Sequence, residues 1–203
     1  MKENSNRVSE RIRRLGVIGD VHARLELLER AADALHAIGV DTLVCVGDIY
    51  GSGNGTAGCC RLLQERQILT VRGNHDRWFL EAADRDDRLR ASVGLEAVEF
   101  LSALPITLNI NTAAGPALVC HGVGTNDLAH VPQTFPHSFA RRSIRVGLIP
   151  PRCKLVVHGH SHLQRQRTCG GVLFVTIGAL RSHPAGGCIM VDTYTGIVSP
   201  IAY

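Results

Sequence analysis

Apolar residues recur along this chain at two periods, and the switches between them divide it into elements. Leu15-Gly16-Val17-Ile18-Gly19 is a short apolar run that reads as a buried strand. Leu25, Leu27, Leu28, Ala31, Ala32, Leu35 and Ile38 then return at helical spacing among Glu26, Glu29, Arg30 and Asp33. Gly39 closes that amphipathic helix. Residues 42–46 form a second strand, and a Gly-rich loop, 51–58, leads to a helix carrying Leu62 and Leu63. Residues 68–71 make a third strand. Strand, helix, strand, helix, strand implies parallel pairing through right-handed crossovers.

The second half is patterned differently. Residues 76–104 read as helical until Pro105 ends them, with 84–88 as a solvated charged face. Residues 106–110 and 117–120 flank Asn111-Thr112-Ala113-Ala114-Gly115-Pro116, the signature of a hairpin. A long loop with some helix, 123–151, precedes a short strand at 155–157. The tail is β-rich, with runs at 172–177, 187–192 and 196–201. Residues 1–13 read as a flexible charged lead-in and 14–203 as a single domain, the count that 203 residues favour.

Composition narrows the class. A 45% hydrophobic and 20% charged chain is an ordinary globular one, and no apolar run approaches the roughly 18 residues of a membrane span. The net charge of +4 suits an anionic substrate but is too small to argue specific nucleic-acid binding. The seven cysteines contain no Cys-x-x-Cys pair and mostly lie in apolar runs, so buried free thiols and a cytoplasmic location are expected. Residues 1–14 are polar and Arg-rich without the apolar stretch of a signal peptide.

The ten histidines carry more information, because His is the commonest metal ligand. Five apolar runs end abruptly in polar blocks: Asp20-x-His22, Gly47-Asp48, Gly73-Asn74-His75-Asp76, His121-Gly122 and Gly159-His160-Ser161-His162. Each is weak alone. Together they deliver Asp20, His22, Asp48, Asn74, His121, His160 and His162 to strand ends, where open α/β sheets bind ligands. Carboxylate, amide and imidazole donors without thiolate suit Mn²⁺, Fe or Zn²⁺ in a reactive site better than a structural zinc. Seven donors are about right for two ions sharing a bridge, and paired ions roughly 3.5–4 Å apart clamp both oxygens of an in-line displacement.

The five blocks, in this order, resemble the calcineurin-like metallophosphoesterase superfamily, in particular its small single-domain bacterial phosphodiesterase-like members. The resemblance runs from about Leu15 to the C-terminus. It implies an α/β fold, a two-sheet mixed β-sandwich flanked by helices, with a dinuclear centre at the strand ends. It implies that Asp20, His22 and His162 hold one metal, that Asn74, His121 and His160 hold the other, and that Asp48 bridges them. His75 resembles the family's acid, with Asp76 as its orienter, and the nucleophile would be a metal-bridging hydroxide. The implied substrate is a small phosphomonoester or phosphodiester.

Two departures bear on the substrate. Ala23-Arg24 stand where many relatives have Gly-Asn, which makes Arg24 a candidate substrate-binding residue beside Asn74 and His75. Gly47-Asp48-Ile49-Tyr50-Gly51 and Asp76 differ from the Asp-Arg-Gly and Gly-Asn-His-Glu of the protein-phosphatase branch. A Ser/Thr protein phosphatase or dinucleoside-polyphosphate hydrolase is the alternative enzyme. A non-catalytic binding scaffold is the alternative of another class, and intact ligand blocks argue against it. Arg72 and Arg77 flank a metal block and can steer phosphate, whereas Trp78 reads as a core anchor more than a base-stacking platform. His158 reads as structural, His36 and His183 as surface residues, and His130 and His137 as solvated loop histidines. Arg141, Arg142 and Arg145 read as a solvated helix face, and Gly178 and Arg181 as a substrate-side loop.

Overall fold

The fold is described from a computed structural model over residues 11–131, 139–180 and 186–203. The lead-in at 1–10, His137, Arg181 and His183 lie outside the described residues. Among the described residues there are ten strands and six helices. The order is β1 (Arg14–Ile18), α1 (Leu25–Ala37), β2 (Thr42–Cys45), α2 (Thr56–Glu65), β3 (Leu69–Thr70), α3 (Asn74–Ala83), α4 (Asp87–Val93) and α5 (Leu95–Ala103). There follow β4 (Thr107–Thr112), β5 (Gly115–Cys120), α6 (Phe139–Arg145), β6 (Leu155–His158), β7 (Arg165–Cys169), β8 (Val172–Thr176), β9 (Cys188–Asp192) and β10 (Ile197–Pro200).

Two five-stranded mixed sheets result, in the orders β10-β9-β1-β2-β3 and β4-β5-β6-β8-β7. β1, β2 and β3 pair in parallel, as do β5, β6 and β8. After building the second sheet the chain returns to the first, where β9 pairs antiparallel to β1. This is the helix-flanked two-sheet sandwich that the sequence motifs imply.

Period-two alternation sorts the strand side chains into three packed layers. Leu15, Val17, Val44, Val46, Val119, Leu155, Val157, Val175, Ile189 and Val191 fill the space between the sheets. Ile18, Cys45 and Cys188 point the other way and pack under α1, α2, α3 and α5 with Leu28, Leu35, Leu63, Phe79 and Leu101. Leu118, Cys120, Val156 and Phe174 face outward from the second sheet onto Ala140 of α6 and Ile149. All seven cysteines are buried and none forms a disulfide, and burial pushes the thiols of Cys59, Cys60, Cys120 and Cys188 up to about 12. Among the described residues no helix is long and apolar enough to cross a membrane.

Three local expectations need correction. The stretch read as one helical region is three helices. Asp86 caps α4 by accepting from the backbone N–H of Arg88 and Leu89, and Gly94, at φ +90°, separates α4 from α5. The charged 84–88 segment is therefore a helix start as well as a surface. The polar strand β7 was hidden because Arg165 to Thr168 are all exposed, as an edge strand requires. α3 begins inside the Gly73-Asn74-His75-Asp76 block, so Asn74 and His75 occupy a helix's first turn.

Leu15 is fully buried between the sheets. Leu15→Ala is expected to cost about 2–5 kcal/mol in chemical denaturation; a loss below about 1 kcal/mol would mean that the sheets are not packed through it.

Candidate metal centre

Each strand that ends in a polar block stops where its next residue turns toward the gap between the sheets' ends. Four of these residues pay a backbone cost to do so. His22, Asp48, His160 and His162 have φ of +48°, +49°, +68° and +56°. A side chain in this left-handed region costs on the order of 1 kcal/mol, and such strain persists where surrounding structure imposes it. Two glycines make room for the carboxylates. A Cβ at Gly73 would collide with Asp48 Oδ1, and one at Gly159 with Asp20 Oδ1.

The side chains then converge as two adjoining groups. Asp20, His22, Asp48 and His162 offer ligand atoms all within 4.8 Å of one another. His162 Nε2 lies 3.1 Å from Asp20 Oδ2 and 3.1 Å from His22 Nε2. In the second group Asn74 Oδ1 lies 2.9 Å from His121 Nε2 and 2.8 Å from His160 Nδ1. Asp48 joins the two, its Oδ2 facing His121 Nε2 at 3.4 Å and His22 Nε2 at 3.8 Å. All seven residues expected as ligands are thus brought together.

Hydrogen bonds fix which atoms face inward. His121 Nδ1 donates to the Val46 carbonyl at 2.7 Å, so its Nε2 is the atom presented to Asn74 and Asp48. Asp48 Oδ1 accepts from the His75 backbone N–H at 2.9 Å, and Asp20 accepts from that of His160 at 3.1 Å. In the neutral ring, His121 Nε2 carries a lone pair aimed at two acceptor oxygens. That arrangement needs a positive centre between them, either a proton or a cation.

The electrostatics agree with this need. Burial opposes charge on His121, yet its hydrogen bond to Asp48 and the charges of Asp48 and Asp20 outweigh it and hold its pKa up at about 9. Burial works against the Asp48 carboxylate too, and His121 together with the His75 amide holds its pKa below the usual range. Burial lowers the pKa of His22 and of His160, keeping their nitrogens available as donors. The donor set, oxygen and imidazole without sulfur, fits divalent cations.

The remaining candidates divide. His75 is half-buried at the rim, its ring 4.9 Å from that of His22. Asp76 does not orient it. Its oxygens accept from the backbone N–H of Gly73 at 2.9 Å and of Tyr50 at 2.7 Å, so it clamps the turn that carries Asn74 and His75. Burial raises its carboxyl to about 6. Arg24 is exposed at the N-cap of α1, two residues beyond His22. Arg77 is committed elsewhere, with Nε 2.7 Å and Nη2 3.2 Å from the Asp127 carboxylate and Nη1 3.0 Å from Glu81.

His158 is structural as expected, with Nε2 2.9 Å from Thr176 Oγ1 and its pKa pushed down to about 4 by burial. Two residues depart from their sequence readings. His130 is exposed, yet its ring stacks on His160 at 4.5 Å, a contact between positions 30 residues apart that no local pattern announces. Trp78 is not a core anchor: it is 45% exposed, with its ring 5.2 Å from that of His75. Its place three residues after His75 on a helix was the available signal.

The profile of the calcineurin-like phosphoesterase superfamily domain matches residues 14–196. The chain belongs to this superfamily. Its fold is also that of the hypothetical protein PH1004 from Pyrococcus horikoshii OT3, at a TM-score of 0.72 and 17% identity over 94% of this chain and 88% of that one. In sequence it is similar to the uncharacterized protein MJ0912 of Methanocaldococcus jannaschii, 29% identical over 117 residues, 53% of this chain and 48% of that protein. It is 37% identical to serine/threonine-protein phosphatase 1 of Salmonella typhimurium over 71 residues, 34% of this chain and 33% of that protein. The matched stretches thus span half or less of these relatives' lengths.

Adding a methyl group at Gly159 should push Asp20 out of its group, its second close contact being the Val46 side chain just after β2. Gly159→Ala is expected to weaken metal binding at least about tenfold, read by calorimetry, with unchanged circular dichroism. Wild-type affinity in this variant would remove Asp20 from the ligand set.

Proposed function

We propose that this chain is a metal-dependent phosphoesterase that hydrolyses a small phosphomonoester or phosphodiester by in-line attack of water. The reading rests on one observation above the others. Seven oxygen and imidazole donors converge in two groups that share Asp48, with a further histidine at their rim. Asp20, His22 and His162 are assigned to one divalent ion, Asn74, His121 and His160 to a second, and Asp48 to both. Mn²⁺ is the first candidate, with Fe and Zn²⁺ next. Bound there, the ions supply a lowered pKa for water and positive charge against the phosphoryl oxygens.

The chain's own residues do the rest. The Val46 carbonyl fixes the His121 tautomer, and the Gly73 and Tyr50 amides fix Asp76 beneath the catalytic turn. The first turn of α3 directs the positive end of its dipole toward the site, where an anionic phosphoryl group is favoured. His75 holds a proton at a ring nitrogen and passes it to the leaving oxygen as the ester bond breaks. Arg24 is assigned to the approaching phosphate through a charge-assisted hydrogen bond. The buried thiols, none of them in a disulfide, fit a reducing compartment, and the cytoplasm is the proposed site of action.

A protein-phosphatase activity is the second reading, drawn from the 37% identity to the Salmonella phosphatase over a third of that protein. Phosphopeptides in the substrate panel separate it from small-ester hydrolysis.

Turnover of p-nitrophenyl phosphate or its bis ester is expected with added Mn²⁺ and is expected to vanish with chelator. His75→Ala should lower kcat by about 10²–10⁴-fold while metal content stays at the wild-type level. Turnover unaffected by chelator would overturn the metal assignment, and metal lost with His75 would overturn its role as the acid.

A further inference from the structure

The exposed ring of Trp78 has no place in the chemistry above. It stands 45% exposed in the first turns of α3, with its ring centroid 5.2 Å from His75 and tilted 52° to it. His75 in turn stands edge-on to His22, 4.9 Å away. Three aromatic rings therefore step outward from the metal-binding groups to the surface, and Trp78 is the outermost. A large apolar ring in this position costs solvation unless something covers it.

The surroundings hold Trp78 in place. The guanidinium of the neighbouring Arg77 lies 5.9 Å from its ring, and Arg77 is itself pinned by Asp127 and Glu81. Phe79, the next residue of α3, turns inward, is buried and stacks on Tyr50 at 4.4 Å, anchoring the helix to the core. The ring is thus presented from a fixed helix, and a preformed platform costs little ordering when a ligand stacks on it.

Resting on the phosphoesterase reading, we infer that Trp78 is a stacking platform for the leaving group, and that the preferred substrates are phosphoesters of nucleosides or similar planar bases. The distance fits: two ring-to-ring steps separate Trp78 from the His22 imidazole, a span that a nucleoside monophosphate bridges between its phosphorus and its base. The chemistry fits too. Base–indole stacking tolerates any base, and the phosphate end of the ligand meets the site at the helix N-terminus. The leaving oxygen then falls next to His75, between platform and metal-binding groups.

Adenosine 5′-monophosphate and ribose 5-phosphate carry the same phosphate ester and differ by the base, so they isolate this contact. Trp78 is the chain's one tryptophan, so its fluorescence reports directly on stacking. The Mn²⁺-loaded enzyme is expected to show quenching with the nucleotide and little with the sugar phosphate, and a KM lower for the nucleotide by about tenfold. Trp78→Ala should bring the ratio of the two KM values toward one, and Trp78→Phe should restore much of it. Equal KM values in the wild type, or a preference that survives Trp78→Ala, would overturn the platform. If neither ester turns over, quenching by the nucleotide alone still supports the platform, and its absence overturns it; the hydrolytic reading is judged separately on the nitrophenyl esters.

Discussion

Lone pairs that face one another are the constraint around which this molecule is built. His121 Nε2, held in its tautomer by the Val46 carbonyl, points at the oxygens of Asn74 and Asp48 from 2.9 and 3.4 Å. His22 and His162 bring two ring nitrogens within 3.1 Å beside Asp20. At His121 this is repulsive unless positive charge fills it, either a proton, which the neighbouring carboxylates favour on His121, or a cation; the low pKa values of His22 and His160 leave their nitrogens free of protons. A divalent cation would satisfy all of these donors together. The left-handed backbone at four of the converging residues and the missing side chains at Gly73 and Gly159 are the costs of assembling them.

The sandwich makes that assembly possible. Parallel β1–β2–β3 and β5–β6–β8 both end at the same side of the molecule, so turns far apart in sequence become neighbours. The interlayer packing of Leu15, Val17, Val44, Val157 and Ile189 holds one sheet's loops in register with the other's. β9, returning late to pair with β1, ties the second half of the chain to the first. The geometry of the candidate site is set by strand ends on the sandwich, with α3 adding the outer rim.

Much of this was legible in the sequence because it rests on local periodicity and on short blocks. Apolar runs that stop in Asp, His or Asn mark both the strand and the candidate site, so β1, β2, β5, β6 and the seven residues that converge there could be read directly. What escaped depends on tertiary context. β7 is a polar edge strand, recognisable only from its pairing to β8. Asp76 looked like a partner for its neighbour His75, but its oxygens face the backbone N–H groups of Gly73 and Tyr50, the latter 26 residues away. Trp78 looked like core because tryptophans usually are, whereas α3 turns Phe79 inward instead. His130 carries no local signal, and its stacking on His160 arises from the path of a loop.

The most direct measurement is anomalous diffraction at the manganese edge from crystals grown with Mn²⁺. The account predicts two peaks, one bounded by Asp20, His22 and His162 and one by Asn74, His121 and His160, with Asp48 touching both. A single peak, or density away from these side chains, would contradict it.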